Sequence, residues 1–295
     1  MKILIIKTGA QGDVLRTTAV LHLFKNELVY WLTKENAVPL LQNNPYIKHI
    51  IAYSNKNILL GINFDLILSL DDEEEYCKLA SEIKTKKLTG AYYDYKENKR
   101  KYTEDSSSWF DMGVISKYGI ETANKLKKQN KLTYQEHLFR MLNKHFNNEP
   151  YILNITKPNN LPKVIVGIEK RSGNRWPMKQ WEKYNELISL LKNDGYEIKV
   201  LEERPNLKYY IEDINNCGLI ITGDTLAMHI ALALNKRVIA LFGPTPAEEI
   251  ASYNKLIKIK VKTDCYCCYR RDSENKEKCI DSIPVEDVYE AVREI

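Results

Sequence analysis

The sequence predicts an α/β protein made of two domains with parallel sheets, and three observations carry that expectation. Apolar, β-branched runs of strand length, such as Ile3-Leu4-Ile5-Ile6 and Val164-Ile165-Val166-Gly167-Ile168, alternate with segments of helical pattern along the chain. That order buries both faces of a parallel sheet. The stretch Asn147 to Asn160 carries two prolines and five asparagines and reads as a linker between two such series. The length, 295 residues, suits two domains or one large α/β domain. The expected division is a Rossmann-like domain over 1–155, a second over 161–283 and a C-terminal helix over 284–295 that returns to the first domain.

Composition narrows the function classes. With 44% hydrophobic and 28% charged residues the chain is an ordinary soluble one. The formal charge of +5 suits an anionic substrate and is too weak to argue for nucleic acid. No apolar run approaches the roughly 18 residues of a membrane span, and the N-terminus reads as a strand rather than a signal peptide, so the expected compartment is the cytoplasm.

In order, Met1 to Ile6 is a buried strand followed by Lys7-Thr8-Gly9-Ala10-Gln11-Gly12-Asp13. The two glycines are expected to make a tight turn, and Asp13 stands where a helix over Val14 to Phe24 begins. A carboxylate there is either an N-cap or a general base at the mouth of the sheet. The spacing lacks the third glycine of the dinucleotide fingerprint. Strands follow at Leu28 to Leu32, Ile47 to Ala52, Phe64 to Leu70 and Leu88 to Ala91, with a short helix at Ala37 to Leu41. The acids Asp71 to Glu75 read as the first turn of a helix continuing to Ile83, where the helix dipole favours them. Tyr92 to Gly119, with Arg100 and Trp109 among many aromatics and hydroxyls, is either a functional loop with stacking faces for a sugar or a surface hairpin. Asn124 to Phe146 has a helical pattern.

The second series opens with Lys163 to Ile168, then a loop holding Lys170, Arg171 and Arg175, either a phosphate clamp or surface charge. A helix over Gln180 to Asn193 stops at Gly195, and a strand covers Tyr196 to Leu201. Next comes Ile220-Ile221-Thr222-Gly223-Asp224-Thr225-Leu226-Ala227-Met228-His229, which reads as strand, tight turn and helix, with Asp224-Thr225 supplying an N-cap oxygen. The unpaired N–H groups of such a helix, at the carboxyl end of a buried strand, suit a phosphate. His229 lies one turn inside, near the face of Thr225; as a buried, satisfied histidine it would carry no function. A further strand ends in Phe242-Gly243-Pro244-Thr245, and Pro284 to Ile295 is a helix with proline in its first turn.

Together, the Gly12-Asp13 turn, Arg175-Trp176-Pro177, Gly223-Asp224-Thr225 with His229, and Phe242-Gly243-Pro244-Thr245 resemble glycosyltransferase family 9, the heptosyltransferase family. The resemblance implies the GT-B fold, two Rossmann-like domains with parallel sheets facing a central cleft. It also implies inverting transfer, without a catalytic metal, of a sugar from a nucleoside-diphosphate donor, most commonly ADP-heptose, to a glycan acceptor such as a lipopolysaccharide core sugar. An enzyme of this kind would work at the inner face of the membrane. By the resemblance Asp13 is the general base. The resemblance also implies that Gly12, Asp224, Thr225, Leu226, His229 and Thr245 line the donor, while Arg100 and Trp109 are the acceptor candidates offered by the aromatic and hydroxyl-rich segment itself.

The chain departs from the family pattern three times, first in a connection from Leu201 to Ile211 that is shorter than the family's nucleoside-binding region, so that the resemblance does not fix adenine as the base. Asn174 stands where the family commonly has lysine, so Lys170, Arg171 or Arg175 is expected to supply the phosphate contact. Leu226 stands in place of a glycine, and a leucine held at positive φ there would be strained.

Four of the six cysteines fall between Cys265 and Cys279. Cys265-x-x-Cys268 with Cys279 has the spacing of a structural zinc or iron site, with packed thiols as the alternative. A non-catalytic sugar-nucleotide or glycan-binding protein on the same scaffold is the second functional class.

Overall fold

A computed structural model describes residues 1–107, 109–110, 119–155, 165–173, 176–269 and 278–295. The chain forms two compact units, Met1–Ile155 and Thr156–Ile295.

The first unit is a six-stranded sheet in the order β3-β2-β1-β4-β5-β6, made of β1 (Lys2–Ile6), β2 (Leu28–Thr33), β3 (His49–Ala52), β4 (Phe64–Ser69), β5 (Thr85–Asp94) and β6 (Lys99–Tyr102). All pairings are parallel except β5 with β6. Ile3 to Ile6 are fully buried, as a central strand covered on both faces requires. One cluster of the core joins Leu4 and Ile6 to Leu32, Ile67, Tyr76 and Leu79. Strand order reverses between β1 and β4, so the carboxyl ends of these two strands flank the crevice in which open α/β sheets place ligands.

The helices depart from expectation at instructive points. Helix α1 covers Gln11–Thr17 and gives way to a 3-10 helix over Thr18–Phe24, where a single helix was expected. The adjacent hydroxyls of Thr17 and Thr18 donate back to the carbonyls of Asp13 and Leu15 at 2.6 Å each, at the point where the helix changes type. Helix α2 is short (Val38–Leu41), and α3 covers Glu74–Glu82 with Glu74 and Glu75 in its first turn. Strand β5 runs on past Ala91 and turns back as β6, the surface hairpin that was one of the two readings of this segment. The turn is built by Asp94, whose Oδ1 accepts the N–H groups of Lys96 and Glu97, and by Asn98 at φ 52°. The helical pattern after Asn124 resolves into α4 (Ile120–Gln129) and α5 (Tyr134–Met141), because Thr133 and Glu136 form a reciprocal capping box that starts a new helix.

The second unit is a five-stranded parallel sheet in the order β11-β10-β9-β7-β8. Its strands are β7 (Ile165–Ile168), β8 (Glu197–Val200), β9 (Leu219–Gly223), β10 (Arg237–Phe242) and β11 (Leu256–Lys260), the last not foreseen from the sequence. Its helices are α6 (Tyr184–Asn193), α7 (Leu207–Asn215), α8 (Leu226–Ala233) and α9 (Val285–Arg293). Gly195 closes α6 at φ +85°, the left-handed stop its position called for. The C-terminal α9 buries Val285, Val288, Ala291 and Val292 in the core of this unit with Leu187 and Leu191 of α6. Here order reverses between β7 and β9.

Candidate active site

Both units gather charged groups where their strand order reverses. In the first, Lys7 follows β1 and Asp71 follows β4 by two residues, and the parallel register of the strands brings them together. Lys7 Nζ donates to Asp71 Oδ1 at 2.5 Å and to the Leu70 carbonyl at 3.4 Å. Asp71 Oδ2 accepts the backbone N–H and the hydroxyl of Thr8. Burial alone would push the Lys7 ammonium down; attraction to Asp71, helped by Tyr134 and Asp13, more than reverses this and holds it charged. Asp71 was expected to be one of the acids in the first turn of a helix. It instead precedes α3 and is the buried counter-ion of Lys7. A Cβ at Gly9 would stand 3.3 Å from Asp71 Oδ1 and 3.5 Å from Lys7 Nζ, so Gly9 is wanted for close approach; neither Gly9 nor Gly12 has positive φ.

Above this pair lies Asp13, in the first turn of α1; the N-cap position is Ala10. Its Oδ1 meets Arg16 Nη2 at 2.8 Å, and the carboxylate remains about one-third exposed. The Arg16 guanidinium lies 3.6 Å from the centre of the Tyr134 ring, whose hydroxyl shares a 2.6 Å hydrogen bond with Thr17. Gly12 is the second residue of α1. Trp109 is buried and meets the Tyr134 ring edge-on at 4.5 Å. Arg100, exposed on β6, donates to the Asp72 carbonyl at 2.6 Å.

In the second unit, β9 ends at Gly223 and the chain turns through Asp224 into α8, with Thr225 as N-cap. The Thr225 hydroxyl does not cap the helix; it pairs with Thr222 Oγ1 at 2.8 Å. The turn therefore keeps the N–H groups of the first helical turn clear of a side-chain cap from Thr225. Leu226 is the first helical residue and does not have positive φ, so leucine in place of glycine brings no backbone strain. Asp224 is the hub: its Oδ2 accepts Lys179 Nζ at 2.6 Å and the Thr245 hydroxyl at 2.8 Å, and its Oδ1 lies 4.0 Å from His229 Nε2. His229 is buried one turn into the helix.

The loop after β7 behaves differently from a ready clamp. Arg171 forms a two-pronged pair with buried Glu169 at 2.8 and 2.6 Å, and Tyr210 donates to the same carboxylate at 2.5 Å. Lys170 Nζ reaches Asn185 Oδ1 on α6 at 3.2 Å. Arg175 lies outside the described residues. The sequence reading missed Lys7, Arg16, Asp71, Tyr134 and Lys179. For Lys7 and Asp71 the sequence shows only a charged residue just past each of two apolar strands, and their pairing depends on the adjacency of β1 and β4.

Cys265, Cys268 and Cys279 are brought close together. Burial, then the neighbouring Cys265 and Cys268, push the Cys279 thiol up to about 12. Among the described residues no group of three His, Cys, Asp or Glu side chains is arranged to hold a metal ion, so the expected zinc or iron site is not supported. Among the same residues no helix is long and apolar enough to cross a membrane.

Two doubly wound units in tandem, each carrying its charged groups at the strand-order switch, follow the GT-B plan. Residues 201–280 match the family model for glycosyltransferase family 9 (heptosyltransferase). The chain is 23% identical over 348 aligned positions to lipopolysaccharide heptosyltransferase 1 of Campylobacter coli, covering 100% of this chain and 99% of that one. The crystal structure of a family 9 glycosyltransferase from Veillonella parvula superimposes with a TM-score of 0.70 at 17% identity, covering 99% of this chain and 96% of that chain. E. coli heptosyltransferase WaaC with ADP superimposes with a TM-score of 0.66 at 16% identity, covering 100% and 99%. By these matches the chain is a glycosyltransferase similar to glycosyltransferase family 9.

Proposed function

We propose that the protein transfers a heptose from ADP-heptose to a hydroxyl of a lipopolysaccharide-type core glycan, with inversion at the anomeric carbon. The observation that carries this reading is the Asp224–Thr225 turn. It leaves the N-terminus of α8 without a side-chain cap from Thr225, at the carboxyl end of β9, among Lys179, His229 and Thr245. A leaving nucleoside diphosphate gains negative charge, and helix N–H groups with fixed cations stabilise it as it forms. Support for the adenine nucleotide and the heptose comes from the relatives, whose names include a lipopolysaccharide heptosyltransferase and a heptosyltransferase with ADP.

In this reading Asp13 takes the proton from the acceptor hydroxyl as its oxygen attacks the anomeric carbon and the bond to the diphosphate breaks. Arg16, stacked on Tyr134, holds the Asp13 carboxylate in place and Lys7 adds positive charge beneath it. Arg100 contributes to acceptor binding from the hairpin, and Trp109 supports Tyr134. The protein works on the cytoplasmic face of the membrane without spanning it.

The test is a transfer assay with ADP-heptose and heptose-deficient core glycan, run beside calorimetry with ADP, GDP and UDP. Asp13→Asn is expected to lower kcat by roughly 100-fold or more with ADP affinity nearly unchanged, the size of a general-base contribution. Wild-type turnover in that variant would remove Asp13 from the mechanism. Nucleotide binding with no transfer to any glycan would favour a non-catalytic binding protein.

A further inference from the structure

The Asp224 carboxylate poses an electrostatic problem that the reading above leaves open. It lies beside the N-terminus of α8, only 15% exposed, where a diphosphate is proposed to bind. An anion in that place repels a second anion, and the repulsion grows as water is excluded. Its surroundings show how the chain meets the problem. Lys179, with a side chain 11% exposed, donates to Asp224 Oδ2 at 2.6 Å and to the Asp224 carbonyl at 3.2 Å.

Lys179 is held there by its own backbone. It ends a 3-10 turn over Pro177–Lys179, with its N–H on the Trp176 carbonyl at 3.0 Å and its ammonium 5.3 Å from the centre of the Trp176 ring. Its carbonyl presses on the end of β9 so closely that a Cβ at Gly223 would stand 3.1 Å away. The ammonium therefore reaches Asp224 from a fixed base rather than from a flexible surface stem.

We infer that Lys179 is a positioning residue for the donor: it neutralises Asp224 and orients it toward Thr245, so that the N-terminus of α8 presents net positive charge to a nucleoside diphosphate. This rests on the nucleotide-donor reading above. The role differs from that of a phosphate-binding lysine. Such a lysine loses its value equally whatever stands at position 224, whereas a neutralising lysine matters only while a carboxylate is there. Asp224 can then keep a carboxylate that orders the Thr245 hydroxyl without repelling the donor.

The experiment is a two-by-two set of variants, Lys179→Met and Asp224→Asn alone and together, with ADP and adenosine affinities measured by calorimetry and melting temperature followed throughout. Lys179→Met is expected to weaken ADP binding by roughly 10- to 100-fold, the span set by losing a charged partner. Adenosine, which has no phosphate, should change by less than about threefold. In the Asp224→Asn background the same Lys179→Met change should cost ADP binding less than about threefold, which is the rescue a merely structural lysine cannot show. Lys179→Arg, which keeps the charge, should hold ADP affinity above that of Lys179→Met.

An equal loss in both backgrounds would make Lys179 a direct phosphate ligand and overturn the inference, as would parallel losses of ADP and adenosine. Unchanged ADP binding in Lys179→Met overturns this inference alone. A wild-type protein that binds no nucleoside diphosphate overturns the donor reading and this inference with it.

Discussion

Replacing Lys7 by methionine tests whether the first unit depends on its buried ion pair. The two side chains are 8% and 4% exposed. In Lys7→Met the Asp71 carboxylate keeps its two bonds from Thr8 but loses its counter-charge in a place water barely reaches. Breaking a buried pair from one side costs about 3–5 kcal/mol. Asp71→Asn strips the ammonium of its partner and should cost a similar amount. In the double variant both charges are gone, the amide oxygen still serves Thr8, and the total should fall short of the sum of the single losses by about 2 kcal/mol or more. Amide hydrogen exchange read by mass spectrometry on β1 and β4 reports this unit alone. Exchange there should accelerate by roughly two to three orders of magnitude in each single variant, since about 1.4 kcal/mol is tenfold. An acceleration below about tenfold in the single variants, or strict additivity in the double, would refute the reasoning.

Two further stability outcomes follow from single residues. Burial, helped by nearby Arg140, holds His137 down at about 4 against an ordinary 6.5. The unfolded chain therefore takes up a proton that the native state refuses, and stability should fall as pH drops from about 6.5 to about 4, by about 3 kcal/mol. Denaturant titrations across that range should show a flatter profile in His137→Gln, and parallel profiles would exclude the histidine as the cause. Gly90 sits at φ +124° and a Cβ there would lie 1.9 Å from the Ser69 carbonyl oxygen. Gly90→Ala should cost about 3 kcal/mol through strain and overpacking, with loss of the β4–β5 pairing as the first sign in hydrogen exchange.

Much of the architecture was legible because a buried parallel strand must be apolar along its length. The runs at Ile3 to Ile6 and Leu219 to Ile221 have no other comfortable home. What misled was local chemistry competing with pattern. Thr17-Thr18 bond back to the backbone and change the helix type, and Thr133 with Glu136 divides one helical pattern in two. In the candidate site, Asp13, Asp224 and His229 could be singled out because motif spacing reaches them. Lys179 could not, since its significance lies in a contact across 45 residues. Nor could the Lys7–Asp71 pair be told from surface charge without knowing which strands are neighbours. The cysteine spacing suggested a metal that the described thiols are not arranged to hold.

The ties between α1 and α5 bear on when the first unit becomes competent. Thr17 meets Tyr134 across 117 residues, Gln135 donates to the Arg16 carbonyl across 119, and the Ile152 amide reaches the Thr18 hydroxyl across 134. Asp13 belongs to one of the earliest turns to leave the ribosome, yet the groups that hold its helix arrive near the end of the unit. Contacts of such long sequence separation form late, because loop closure must precede them. During synthesis and refolding alike, the sheet can assemble around the Asp13 carboxylate, the proposed base, while it is present but unaimed. Recovery of activity should then lag behind recovery of secondary structure until the chain past Tyr151 has docked.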